Sequence, residues 1–278
     1  MAPCYNLTKY HGEYGTLYRI GDAEFMLLKG RSLETEQSIR TSFECEGDKI
    51  FRRELFHTSL AANFALESLY NPPLHAHTYE VMELLHNPLK ETPMKAVVKI
   101  KAAGLTPRQM AVILEKFRGR KWVLDCNRTW TLDMFKSLGY TDEIWYVEDP
   151  VARFEDLSRF FQETGLHFGM DETLAEHSFK TLSQLQGLTH FIIKPSLFGS
   201  SLQIRPWIDF AKNHNIDVIL SSSMEGKCGI DQIIALHQRL GLTTPLGIDT
   251  LKYANYENAR FEPVLSVTET MVQSHCPY

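Results

Sequence analysis

From about Met94 onward the chain alternates short β-branched runs with stretches of helical apolar spacing. The runs are KAVVKIK (95–101), KWVLD (121–125), IWYVED (144–149), HFGMD (167–171), HFIIK (190–194) and IDVILSSS (216–223). Between them lie TPRQMAVILEKFRG, RFEDLSRFFQETG, SSLQIRPWIDFAKNH and GIDQIIALHQRLG. These carry apolar residues at a helical period and end near Gly or Asn. Pro107 suits a first helical turn. Pro206, inside the third stretch, predicts a break or a late helix start. Strands alternating with helices imply parallel strands joined by crossovers.

The spacing narrows the architecture. Lys101 to Asp125 is 24 residues, and Asp125 to Glu148, Glu148 to Asp171 and Asp171 to Lys194 are 23 each. A βα unit of constant length with a charged residue at each strand's C-terminal end is what a (β/α) barrel requires, since such barrels gather reactive groups on that face. A doubly wound open sheet would place its ligand at one switch point, which fits five charged strand ends less well.

The first 90 or so residues read differently. GTLYRIG, AEFMLLKG and KIFRRELF look like short strands, SLAANFALESLY like a helix, and PPLHAHT (72–78) like the first barrel strand. The tail after Asp249 has little periodicity and is expected to pack back on the N-terminal unit. The expected fold is therefore α/β: a (β/α) barrel of modified TIM type over 71–249. An α+β capping domain over 1–70, completed by 250–278, would cover its mouth.

Composition adds a few exclusions. The chain has 278 residues, 44% hydrophobic and 23% charged, with a net charge of −5 and no basic block, so nothing favours nucleic acid. No apolar run approaches the roughly 20 residues needed to cross a bilayer, so no membrane role is expected. The N-terminal stretch MAPCYNLTKYHGEYG lacks signal-peptide design. Five scattered cysteines without a CxxC pair fit a reduced cytoplasm. No GxGxxG follows a strand and no GxSxG occurs, which disfavours a Rossmann oxidoreductase and a serine hydrolase.

Asp125, Glu148 and Asp171 are the main candidates for chemistry. A single carboxylate at a strand end is more often a helix cap or a surface turn. Three in consecutive units would converge on one axial point and repel unless a cation intervenes, and hard oxygen ligands suit Mg²⁺. Lys99 and Lys101 share one strand face, being two residues apart. On an exposed strand that would mean little, but a parallel barrel strand is buried. Crowded ammonium groups are expected to depress each other's pKa, making a neutral lysine base accessible. Lys194 closes HFIIKP in the same rhythm, across the barrel from Lys101.

In order and approximate spacing, Lys99-Ile-Lys101, LDCNRTW, VEDP, MDET, IIKPS and SSSMEG resemble motifs of the enolase superfamily. They are most similar to its muconate-lactonizing subgroup. With GIDT (247–250), they resemble the o-succinylbenzoate synthase family of proteobacterial type, from roughly Ser59 to Tyr256. The resemblance implies a lyase acting on a small-molecule carboxylate by syn dehydration through an enediolate, in menaquinone biosynthesis. It further implies that Asp125, Glu148 and Asp171 bind Mg²⁺, or Mn²⁺ in its place. Lys101 would be the base, Lys99 its modulator and Lys194 the opposing cation. Asn127, Ser221, Ser222, Ser223 and Gly247 would line the substrate pocket, with Glu172 and Asp249 as orienting groups. Asp149 and Cys126 depart from the family pattern, the latter as a buried inert thiol. The cap looks shortened, with Tyr14, Tyr18 and Arg19 as candidates for its substrate-facing loop. The resemblance leaves two alternatives: an N-acylamino acid racemase or dipeptide epimerase of the same superfamily, and a barrel that binds without catalysis. The sequence does not indicate an oligomeric state.

Overall fold

The structure is a computed structural model describing residues 4–71, 78–139, 141–254, 256 and 259–268. The chain opens with β1 (Cys4–His11), β2 (Gly15–Ile20) and β3 (Ala23–Leu28), then α1 (Glu36–Glu46), α2 (Asp48–Arg52) and α3 (Leu60–Tyr70). Seven parallel strands follow: β4 (Glu83–Leu85), β5 (Val97–Lys101), β6 (Lys121–Asp125), β7 (Ile144–Glu148), β8 (Phe168–Met170), β9 (Leu188–Ile193) and β10 (Asp217–Leu220). Helices α4 (Pro107–Lys116), α5 (Leu132–Lys136), α6 (Leu157–Thr164), α7 (Phe179–Leu182), α8 (Pro195–Phe198), α9 (Ser201–Asn213) and α10 (Lys227–Leu240) join or follow them. A last strand, β11 (Glu262–Thr268), pairs antiparallel with β1, so a four-stranded sheet β11-β1-β2-β3 unites both ends of the chain.

The parallel sheet closes on itself. Leu246 and Gly247 form parallel bridges with Val81 on one side and Ser221 on the other. Hydrogen bonds Met82 N to Leu246 O (2.9 Å) and Gly247 N to Leu220 O (2.9 Å) stitch this two-residue eighth strand between β4 and β10. Inside the ring, Met82, Val97, Val123, Tyr146, Ile192 and Ile219 form one buried apolar layer. Each stands two residues before an inward residue of the next level: Leu84, Lys99, Asp125, Glu148, Lys194 and Ser221. Gly169 fills the corresponding place on β8; a Cβ there would lie 2.6 Å from Ile192 Cδ1 and 3.2 Å from the Tyr146 ring. The apolar layer is thus the floor on which the charged level rests.

The expected strand KIFRRELF is not one. Residues 48–52 form α2, ended by Arg53 in the left-handed region (φ 59°). Its weak alternation loses to charge pairing at helical spacing, with Lys49 2.6 Å from Glu46 and Arg52 paired with Asp48. Nor does Pro206 break α9, which runs from Ser201 through to Asn213. The Ser200–Gln203 capping box fixes its start, and Pro206 and Leu202 share an exposed face. The carbonyl that loses its helical partner therefore faces solvent. Residues 72–77 of the expected first barrel strand lie outside the described residues, and β4 takes the place beside β5.

Glu46 ties α1 to the loop before α3. It accepts from the amides of His57 (2.7 Å) and Thr58 (3.1 Å), from the Thr58 hydroxyl and from Lys49. Burial opposes the charge, but these donors override it and hold the carboxyl down at about 2. A depressed carboxyl stabilises the fold above its unfolded pKa, and that contribution fades as pH falls from about 4.5 towards about 2. Glu46→Ala is expected to cost on the order of 2 kcal/mol at pH 7 and little at pH 2, measured by urea unfolding at both values.

Candidate active site at the barrel mouth

Strand register assembles the charged level. Lys101 lies beside Asp125, Asp125 beside Glu148 and Glu148 beside Gly169, with Asp171 one inward step beyond. All three carboxylates are buried, at 3%, 1% and 6% exposure for Asp125, Glu148 and Asp171. Lys99, also buried, reaches between two of them, pairing with Glu148 and lying 3.1 Å from Asp125 Oδ2. Lys101, with its side chain a third exposed, sits 2.5 Å from the same Asp125 oxygen, and Lys194 sits 2.7 Å from Asp171 Oδ2. The three carboxylates are thus interleaved with the three lysines.

This interleaving corrects one expectation. Burial acts to lower the Lys99 pKa, but Glu148, Asp125 and Asp171 outweigh it, and the group stands well above the ordinary lysine value rather than below it. Asp125 is held below the carboxylate range: burial pushes it up, while Lys99 and Lys101 bring it down further. Glu148 goes the other way, raised by burial against the pull of Lys99. Tyr146, directly beneath, is raised by burial and by Glu148.

Local backbone aims these groups. After β6 the chain turns through Asn127 (φ 44°) and Arg128 (φ 61°), both left-handed, a conformation that costs about 1 kcal/mol or more per residue. The turn brings the Asn127 amide back to Asp125 Oδ1 at 2.6 Å, and the Trp130 indole fastens it to Ala102 O at 3.1 Å. Cys126 is fully buried and its thiol is pushed up by burial. Asp149, also left-handed (φ 40°), accepts from the Asp171 amide (3.3 Å) and the Thr173 hydroxyl (3.0 Å). Its carboxylate therefore holds the segment carrying Asp171. The Glu172 side chain lies outside the described residues.

Above the lysines is a cavity lined by Lys99, Lys101 and Lys194 on the floor and by Ser221, Ser222, Ser223 and Gly247 on one wall. Leu84 and His86 form another wall, and Tyr14 of the β1–β2 turn and Leu28 of β3 complete the lining. Ser221 donates to Gly247 O (3.0 Å), and Asp249 accepts from the Leu84 amide (3.0 Å). Of the proposed cap residues, Tyr14 lines the cavity. Tyr18 is fully buried and stacked on Phe25, and Arg19 binds Glu24 and covers Phe261. His86 and Leu84 were missed by sequence reasoning. Their signal was present in VMELLH, where Met82, Leu84 and His86 share one strand face.

The donor set tests the fit of a metal. Three buried carboxylates are hard oxygen ligands of the type Mg²⁺ takes. Among the described residues, however, no group of three or more His, Cys, Asp or Glu is gathered tightly enough to hold an ion as it stands. Lysine ammonium groups lie against these carboxylates instead. The residues fit a divalent cation by donor type and not by ready-made geometry.

Comparison with solved structures places the architecture. The muconate lactonizing enzyme of Pseudomonas putida superposes with TM-score 0.62 at 15% identity, covering 90% of this chain and 87% of its own. An unassigned enolase superfamily member from Enterococcus faecalis V583 superposes with TM-score 0.61 at 17% identity, covering 95% of this chain and 90% of that one. The fold is that of the enolase superfamily. Within that superfamily fold, the o-succinylbenzoate synthase of Thermosynechococcus elongatus BP-1, whose active site holds Mg, matches with TM-score 0.60 at 19% identity over 94% of this chain and 87% of its own.

By sequence the chain is related to o-succinylbenzoate synthases. It is 30% identical to that of Enterobacter sp. (strain 638) over 158 residues, 55% of this chain and 49% of the relative. It is 28% identical to that of Escherichia coli (strain K12) over 185 residues, 63% of this chain and 58% of the relative. The matched region therefore spans about half the length of these relatives. No family model matches the chain.

Proposed function

We propose that this chain is an o-succinylbenzoate synthase, dehydrating 2-succinyl-6-hydroxy-2,4-cyclohexadiene-1-carboxylate to o-succinylbenzoate in menaquinone biosynthesis. The observation that carries the reading is the interleaving of Lys99, Lys101 and Lys194 with Asp125, Glu148 and Asp171 under one lined cavity. In this reading residues 71–249 are the catalytic barrel, residues 1–70 with 250–278 are its cap, and the enzyme works in the cytoplasm.

Asp125, Glu148 and Asp171 would hold Mg²⁺, with Mn²⁺ as a substitute. When bound, the ion supplies positive charge against the carboxylate end of the substrate, where negative charge grows as the α proton leaves. Lys101 acts as the base that removes that proton. The electron pair then expels the hydroxyl group, and the proton on Lys101 goes to the departing oxygen, so water leaves and the ring becomes aromatic. Lys194, on the far side of the mouth, contributes a fixed cation. Lys99 lies one level deeper and holds Asp125 and Glu148 in place. Ser221, Ser222, Ser223 and Gly247 shape the wall against which the substrate lies, and Asn127 orients Asp125.

A second reading, an N-acylamino acid racemase or dipeptide epimerase, rests on one observation. Lysines from β5 and from the end of β9 both line the cavity, as proton exchange from two faces would need. Purified protein with Mg²⁺ should be assayed against the cyclohexadiene carboxylate and a panel of N-succinylamino acids. Turnover of the first above any racemisation of the second supports the synthase. Racemisation alone supports the alternative, and inactivity towards both removes the two together.

A further inference from the structure

β3 is the outer strand of the N-terminal sheet, and two of its outward amides, those of Glu24 and Met26, are received by side chains of barrel helices. Glu24 N donates to Gln232 Oε1 (2.6 Å), whose amide returns a bond to Glu24 O (3.0 Å). Met26 N donates to Ser196 Oγ (3.1 Å). An edge strand is thereby closed without another strand. Ser196 in turn donates to Glu225 Oε1 (2.6 Å). The other carboxylate oxygen, Glu225 Oε2, accepts from the Ser222 hydroxyl (2.8 Å) and the Ser223 amide (2.6 Å). Thr250 completes the group by donating to Ser222 Oγ at 2.9 Å.

Glu225 is fully buried, and among the described residues no cation pairs with it. A carboxylate kept in such a place is costly unless its hydrogen bonds are geometrically complete. Burial pushes its pKa up, and the donors from Ser196, Ser222 and Ser223 oppose that. Its donors come from two sides. Ser222 and Ser223 are wall residues of the cavity, while Ser196 connects to the strand that ends in Leu28, a cavity residue of the cap. Tyr14, also lining the cavity, is tied to the residue that follows Leu28 through Lys29 N to Tyr14 O (2.9 Å).

We propose that Glu225 is a positioning residue that locks the serine wall of the barrel and the cap strand β3 into one register, so that both sides of the cavity close on the substrate as a unit. The part concerning substrate rests on the function proposed above; the register itself does not.

Amide exchange and kinetics of the full chain with Mg²⁺ separate the two. Glu225→Gln is expected to raise exchange at Met26, which Glu225 does not touch. Ser196→Ala is expected to raise exchange at Ser223, which Ser196 does not touch, each by about tenfold or more. For the cyclohexadiene carboxylate, KM should rise about tenfold to a hundredfold with kcat within about threefold. If Glu225→Gln does not fold, Ser196→Ala carries the test alone. Exchange rising only at amides that lose their own partner would overturn the proposal. So would coupled exchange in an active enzyme whose KM is unchanged. A parent protein without lyase turnover would sink the assigned function, while the exchange data would still decide the register.

Discussion

Lys101→Ala is expected to lower kcat for dehydration by at least about 10²–10⁴-fold, the usual contribution of a positioned general base. The protein should nonetheless melt close to the parent, because the Lys101 side chain is a third exposed and its pairing partner Asp125 keeps Lys99 at 3.1 Å. Lys99→Ala is the contrasting variant. Removing that buried ammonium leaves Glu148 without its ion-pair partner beside an Asp125 that keeps only Lys101, and about 3–5 kcal/mol of stability should go with it in the metal-free protein. Single-turnover kinetics and thermal unfolding of both variants check the division. Loss of stability in Lys101→Ala to match Lys99→Ala would show that the two lysines share a structural role.

The second large effect concerns Lys194. A syn dehydration needs one base, so under the proposed function Lys194 would contribute only charge, whereas racemisation needs a proton carrier on each face. Lys194→Arg keeps the cation 23 residues beyond Asp171 in the strand rhythm but cannot exchange its proton near neutral pH. Dehydration should remain measurable, reduced by about 10–100-fold through the altered shape at a site where Lys194 now lies 2.7 Å from Asp171. Racemisation of N-succinylamino acids should vanish. Parallel loss of both activities in a folded variant would mean that Lys194 does more than supply charge.

Much of this arrangement was legible because barrel geometry maps onto sequence period. A constant interval of 23 residues runs from Asp125 through Glu148 and Asp171 to Lys194; the register sets Asp125 level with Glu148 and Asp171 one inward step beyond. Closure was not legible. The eighth strand is only Leu246 and Gly247, too short to carry a period. The strand β11 was hidden in a tail whose alternation is weak, and its partner β1 is more than 250 residues away. KIFRRELF misled because alternation over a few residues is cheap to imitate, and ion pairs at helical spacing decided the outcome. Pro206 misled because a lost hydrogen bond costs little when the orphaned carbonyl faces water.

The electrostatics were only half legible. Two lysines on one strand face suggest mutual repulsion, but which carboxylates stand opposite depends on the adjacent strands. Lys99 meets more negative than positive charge there. The Glu24 and Glu225 contacts were invisible for a related reason. Gln232 lies 208 residues from Glu24, and Met26 lies 170 from Ser196, and no local pattern announces such pairs.

The central claim is that Asp125, Glu148 and Asp171 form one cation site serving the lysines above the barrel floor. Calorimetric titration of the full chain with Mg²⁺, repeated with Asp125→Asn, Glu148→Gln and Asp171→Asn, tests it most directly. One ion per chain is predicted, with each substitution weakening binding by about tenfold or more. Absence of binding in the parent, or binding that survives all three substitutions unchanged, would contradict it.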